Sequence, residues 1–260
     1  MLLKKQSGLS LIELMIALVL GLLLLAGVLQ VFLGSSQTYR LTGDLARAQE
    51  NGRFALDMLT RDIRMAGYRH PDKGELIDFF MVGADCPNTD ACTTNVSGTA
   101  GSDIIAVQLD PEENTDCLGS SVGADDIVIN VYSIGTQTVS GVNISSLFCR
   151  GWNVTTDAWT TTSAQPLVDG IENMQVLYGI APNEKFITRY VTADNVPDWN
   201  KIRAVRIGLL VSAGNVTGAA ENRTREYIIL DSGSLSFTDR QARYVYTTTV
   251  NLNNSLSDQI

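Results

Sequence analysis

Gly8-Leu9-Ser10-Leu11-Ile12-Glu13 leads into an apolar run from Leu14 to Leu29, which resumes after Gln30 with Val31, Phe32 and Leu33. From Leu14 to Leu33 is roughly 20 residues, or about 30 Å of helix, enough to cross the hydrocarbon core of a bilayer. Glu13 is the anomaly. A carboxylate inside a membrane helix costs roughly 2.5–3.5 kcal/mol on insertion scales. A plain anchor has no need of it, so Glu13 reads as a functional residue. Lys4 and Lys5 stand ahead of the run and hold the N-terminus in the cytoplasm, so the rest of the chain is exported.

Two plainer readings account for less. A secretory signal has an apolar core of about 7–15 residues with a small-residue cleavage site behind it. Ala26-Gly27 mimics such a site, but the apolar run continues past it. A simple signal anchor explains the span and leaves both Glu13 and the position of Gly8 without a reason.

Past Gly34-Ser35-Ser36, the residues Leu41, Leu45, Ala48, Gly52, Leu56, Leu59, Ile63 and Ala66 recur at steps of three and four. That is one face of an amphipathic helix. Arg40, Asp44, Arg47, Gln49, Glu50, Arg53, Asp57 and Arg61 occupy the other face. Gly67 and His70-Pro71 stop it. One helix from about Leu9 to Ala66 is expected, in lipid over its first half and packed on a domain over its second. Two helices broken at Gly34 is the competing layout.

Beyond Pro71 the pattern turns to β. Strands are expected at 104–109, 127–132, 174–178, 205–211, 227–230 and 244–250. No comparable helix separates them, which argues for an antiparallel sheet covered on one face by the N-terminal helix. Gly83 to Gly101 and Pro111 to Gly123 read as loops, and Thr155 to Ser163 as a polar loop or edge strand.

The net charge of −9, with only 19 Lys and Arg, weighs against nucleic-acid binding, which needs a basic surface. Cys86, Cys92, Cys117 and Cys149 all lie in the exported part. An even count there reads as two disulfides in an oxidising compartment. Sequence alone allows three pairings, of which Cys86–Cys92, closing a short loop, together with Cys117–Cys149 is favoured. Their spacing is too loose for a metal site, and His70 is the only histidine. No catalytic arrangement of Ser, His and Asp or of Cys and His stands out, and there is no phosphate loop. The acids of 110–116 and Asp125-Asp126 read as solvated loops lacking the EF-hand spacing. Trp152, Trp159 and Trp199 read as core or loop anchors. No cofactor and no enzymatic activity are expected.

The opening motif resembles the class III signal of type IV pilins and pseudopilins: basic leader, glycine, acid and apolar run coincide. Leu9 stands where the family usually has Phe, and Ser10 fits. The resemblance implies that prepilin peptidase cuts between Gly8 and Leu9, that Leu9 is N-methylated, and that Glu13 is the acid used in assembly. Further pieces are similar to the PilW group of minor pilins: Arg61-Asp62-Ile63-Arg64-Met65-Ala66-Gly67-Tyr68, the stretch 168–179, Val205-Arg206-Ile207-Gly208-Leu209-Leu210-Val211, and the tail 243–250. Where that group often runs on to a cysteine, this chain has Arg69-His70-Pro71; where it commonly closes with Arg-Asn, this chain has Asn253-Asn254. Many major pilins carry a proline in the membrane helix, whereas the first proline here is Pro71, which fits a low-copy subunit.

The resemblance implies an α+β fold, a long N-terminal helix packed on an antiparallel β-sheet. Residues 1–8 would be the leader, 9–33 the transmembrane helix, 34–67 its amphipathic continuation and 68–260 a β-rich periplasmic or extracellular domain. It implies a minor pilin that helps initiate or cap a type IV pilus, first held in the inner membrane and then in the fibre. Its partners would be other minor and major pilins, prepilin peptidase and the inner-membrane assembly machinery. A type II secretion pseudopilin is the runner-up, and a membrane-anchored periplasmic binding domain the third reading.

Overall fold

Helix α1 runs without a break from Leu11 to Met65 in the computed structural model, which describes residues 10–73, 77–96, 101–183, 186–215 and 222–254. Its 55 residues span about 80 Å at 1.5 Å per residue. Lys4, Lys5, Gly8 and Leu9, and the cleavage and methylation expected there, lie outside the described residues. Gly34-Ser35-Ser36 do not interrupt the helix. Just beyond them, the Thr38 hydroxyl donates to the Gly34 carbonyl and the Thr42 hydroxyl to the Thr38 carbonyl, both at 2.9 Å. These side chains bond within the helix's own ladder.

The helix stops at the signals read from sequence. Gly67 adopts a φ of +71°, the left-handed conformation that ends helices, and a Cβ there would overlap the Phe79 ring. The Gly67 N–H donates to the Gln108 carbonyl at 2.9 Å. Asn254 Nδ2 donates to the Ala66 carbonyl at 3.1 Å. The asparagine of the closing Asn253-Asn254 pair thus holds the helix end.

Every strand pairing is antiparallel. The first sheet joins β1 (Ile105–Leu109), β2 (Val128–Val139), β3 (Val142–Asn153) and β4 (Ala158–Trp159) in that order, with β5 (Gln165–Asp169) also on β3. The second has the order β11-β8-β6-β7, built from β6 (Ile171–Ile180), β7 (Arg189–Val191), β8 (Ile202–Asn215) and β11 (Gln241–Asn251). A separate hairpin pairs β9 (Arg223–Tyr227) with β10 (Leu235–Asp239).

Period-two burial shows how the layers meet. On β8, Val205, Ile207, Leu209, Val211 and Ala213 enter the main core with Ala48, Ala55, Leu59 and Ile63 of the helix. Leu210 points the other way, into a small cluster with Ile229 and Leu235. On β1, Ile105 and Val107 face the main core, while Ala106 joins Ile129, Val131, Met81 and Trp152 behind the sheet. Strands covered on both faces read as continuous apolar runs.

Two strand expectations need correction. Residues 228–230 are not a strand: β9 ends at Tyr227, and Leu230 has a φ of +49° in the turn toward β10. Ile229 is apolar because it plugs the cluster against Leu210, not because it pairs. The long strand β3 was not anticipated. Its signal was Ser140-Gly141, whose φ values of 52° and 80° make the two-residue turn of the β2–β3 hairpin. Ser, Asn and Gly within β3 dilute the strand pattern.

A polar contact pins the helix to the first sheet. Asp62 is buried on α1 and accepts from Tyr132 Oη at 2.6 Å and Asn130 Nδ2 at 2.7 Å, both on β2. A buried acceptor that loses a donor costs about 1–3 kcal/mol. Tyr132→Phe and Asp62→Ala should each lower the unfolding midpoint of the detergent-solubilised chain. The double variant should cost less than the sum of the two, because both remove one shared interaction. Additive losses would show that the contact does not couple helix to sheet.

Candidate assembly interface

Ser10 is the N-cap of α1, with φ −70° and ψ 144°. Its Oγ accepts from the Ile12 N–H at 3.3 Å, and Glu13 Oε2 accepts from the Ser10 N–H at 3.1 Å. This is a capping box. Its Ser-x-x-Glu signature stood in the sequence but was not read there. The carboxylate therefore sits at the positive end of the helix dipole. Glu13 has a local structural role besides the assembly role implied by resemblance, and any test must separate the two.

Among the described residues nothing covers the helix from Leu11 to Leu33. The large apolar side chains from Leu11 to Leu33 keep 51–78 % of their surface exposed. Exposed apolar surface on this scale marks a lipid or protein contact. On the domain half the predicted face turns inward. Ala48, Gly52, Leu59 and Ile63 are buried, and Leu45 and Leu56 pack against the core. Arg40, Arg47, Glu50, Arg53, Asp57 and Arg61 stay exposed. Gly52 marks the closest approach: a Cβ there would stand 2.8 Å from the Tyr246 ring on β11 and 3.2 Å from Val211 on β8. Asn51 Nδ2 donates to the Asp169 carbonyl at 2.9 Å, tying the helix to β5 as well.

The four cysteines form the bridges Cys86–Cys92 and Cys117–Cys149, with Cα separations of 5.6 and 6.4 Å. The first clips the loop after β-bridge residue Phe80, and the second ties the loop before β2 to β3.

The acids of the loops serve the loops. Asp110 is buried and accepts from Lys73 Nζ and the His70 N–H, both at 3.2 Å. Asp116 accepts from the N–H groups of Leu118 and Ser120 at 2.9 and 2.8 Å, and from the Thr160 hydroxyl. The Asn153 amide and the Gly123 N–H hold the Asp126 carboxyl below its ordinary range. Among the described residues no group of three or more His, Cys, Asp or Glu is placed to hold a metal ion. His70 is exposed, with Nδ1 3.6 Å from Asp72. Trp152 and Trp159 stack edge-to-face at 5.0 Å, with Arg150 over the Trp159 ring. Trp199 packs on Tyr178 and Phe80.

Two family profiles match the chain. The prokaryotic N-terminal methylation motif covers residues 3–29. Type IV Pilus-assembly protein W covers residues 131–254. No curated protein matches. Among solved structures, a type IV-like pilin from Thermus thermophilus is similar over 80 % of this chain and 98 % of its own, at 15 % identity and a TM-score of 0.48.

Asp103, two residues before β1, is buried and titrates well above the ordinary carboxylate range. Burial pushes its carboxyl up to about 6, against the opposing donors Val96 N–H at 3.0 Å and Val176 N–H at 2.8 Å. The folded state thus holds this proton more tightly than the unfolded chain, whose value is 3.8. The stability it contributes is present at low pH and lost as pH rises through about 6. In paired melts, the parent should gain stability relative to Asp103→Asn as the buffer is taken from neutral to mildly acidic. A pH-independent difference would place the titration elsewhere.

Proposed function

Because this chain is a type IV pilin-like protein of the PilW group, a minor pilin with a class III signal at its N-terminus, we propose that it is cut between Gly8 and Leu9, methylated on Leu9, and drawn into the start or tip of a pilus through Glu13. The uncovered apolar stem, continuous with a helix clamped to the domain, is the observation that carries this reading. Such a stem fits an inner-membrane anchor with a periplasmic domain. It is equally suited to a bundle of neighbouring stems, and other pilins and the assembly machinery are the partners.

The mechanism follows from desolvation. When stems leave lipid for a packed bundle, a carboxylate between them needs a positive partner. The methylated amine of a neighbouring subunit's mature N-terminus supplies it. Pairing satisfies both charges and sets the axial stagger between subunits. This is a structural role, with no catalytic step.

The capping box supplies a discriminating pair of variants. Glu13→Gln keeps an N3 acceptor for the Ser10 N–H, because Gln serves a capping box as Glu does, but it removes the charge. Glu13→Ala removes both. In a strain lacking this gene, both variants should be inserted and processed yet absent from sheared fibres. Breaking one side of a buried pair costs about 3–5 kcal/mol. If Glu13→Gln assembles like the parent while Glu13→Ala does not, capping is the whole role and the charge pairing is wrong. Loss of surface pili with type II secretion intact would set the protein apart from a secretion pseudopilin.

Processing has its own test. Gly8→Val should leave an uncut precursor in the membrane, because a branched side chain obstructs the scissile bond. A mature N-terminus found after Ala26 or Gly27 would replace the pilin route with ordinary secretion.

A further inference from the structure

A cavity of about 240 Å³ opens between the segment from Asp78 to Val82, the 3-10 turn Gly83–Asp85 and the 3-10 turn Trp199–Lys201. It lies near the C-terminal end of α1, the end remote from Glu13. Phe79, in its wall, packs on Gly67 just past the end of α1, and the Phe79 carbonyl accepts from the Gln108 N–H at 3.0 Å.

The cavity has an aromatic wall and an acidic rim. Trp199 and Phe80 line it. Their rings meet edge-to-face at 6.0 Å, and each also packs on buried Tyr178, at 4.9 and 5.4 Å. Phe80 and Tyr178 are buried, so Trp199 is the ring of this trio that reaches the surface, and its orientation is set by the other two. Asp78 and Asp85 stand exposed on the rim. Among the described residues neither carboxylate has an ion pair, unlike Asp110, Asp198 and Asp239, each of which meets a cation of the chain. No basic side chain lines the cavity, and neighbouring Lys201 is engaged with Asp198 at 3.6 Å. The Cys86–Cys92 bridge begins one residue after Asp85 and fixes its turn.

We propose that this cavity binds one side-chain-sized organic cation, the guanidinium or ammonium of an arginine or lysine presented by a protein partner. Its volume is below the roughly 300–1,000 Å³ of pockets for drug-sized ligands and suits a single side chain. Aromatic faces attract cations through the ring quadrupole. Two carboxylates at the mouth, with no ion pair among the described residues, neutralise the charge, and a net charge of −9 makes the chain as a whole attractive to basic partners. The proposal does not depend on the role assigned to Glu13.

The test uses the full chain in detergent micelles, labelled with 5-fluorotryptophan, with the Trp199 fluorine resonance assigned through Trp199→Phe. The probes are Nα-acetyl-argininamide, Nα-acetyl-lysinamide and Nα-acetyl-citrullinamide, the last a neutral isostere of arginine. Both cationic probes should move the Trp199 resonance saturably and leave those of Trp152 and Trp159 in place. Citrulline should bind about tenfold more weakly or worse, a loss of roughly 1.4 kcal/mol. The Asp78→Asn/Asp85→Asn double variant should show the same loss toward arginine, with its Trp152 and Trp159 resonances unchanged as evidence of an intact fold. The proposal fails if the Trp199 resonance does not respond, if citrulline binds as tightly as arginine, or if the double variant binds as tightly as the parent.

Discussion

Water is a poor solvent for the stem from Leu11 to Leu33, and none of the described residues covers it. Burying a Leu or Ile side chain is worth about 1.5–3 kcal/mol, and none of the stem's is buried. The stem therefore calls for apolar surroundings supplied from outside it, a lipid or a protein contact. Because α1 continues through Gly34 without a break, a change in the surroundings of the stem is transmitted to the domain as the movement of one rod. A hinged connection would lose that coupling.

The clamp on the second half of the rod combines close contact with polar specificity. Gly52 lets the helix backbone reach the Tyr246 ring, and Leu59 and Ile63 fill the space over β8. Apolar packing alone would tolerate rotation of a helix by part of a turn. The buried Asp62, met by Tyr132 and Asn130 of β2, does not. A rotated helix would leave the carboxylate without donors in the core, a penalty larger than most packing defects. Asn51 on β5 and Asn254 at the helix end act in the same direction, each on a backbone carbonyl. Helix orientation is thus referred to both sheets.

The loops are held by their own polar groups and by the two bridges. Asp110, Asp116 and Asp126 accept from nearby N–H, hydroxyl and amide donors, so each holds its own loop in place. Arg243 plays the corresponding part for the β9–β10 hairpin. It is buried, joined to Glu172 and Asp239, and lies 3.8 Å from the centre of the Phe237 ring. That network attaches the hairpin to the second sheet, where the hairpin covers Leu210.

Much of this architecture was legible in one dimension, because it depends on local periodicity. An apolar run of membrane length, a stripe at steps of three and four, and a stop at Gly67 specify a helix and its inward face with no knowledge of a partner. Alternation and β-branching mark β1, β2, β6, β8 and β11 for the same reason. Tertiary structure decided what depends on residues far apart in sequence. Asp62 looks like one more surface acid until β2 brings Tyr132 and Asn130 to it. Ile229 looks like part of a strand until Leu210 and Leu235 close around it. Two sheets and a separate hairpin stand where a single sheet was expected, because strands buried on both faces carry no mark of which neighbour they pair with. Local pattern alone specified a helix too apolar to stand in water and a β-rich domain behind it. Only the fold decided how the two are locked together, since a buried polar contact is defined by donors that arrive from elsewhere in the chain.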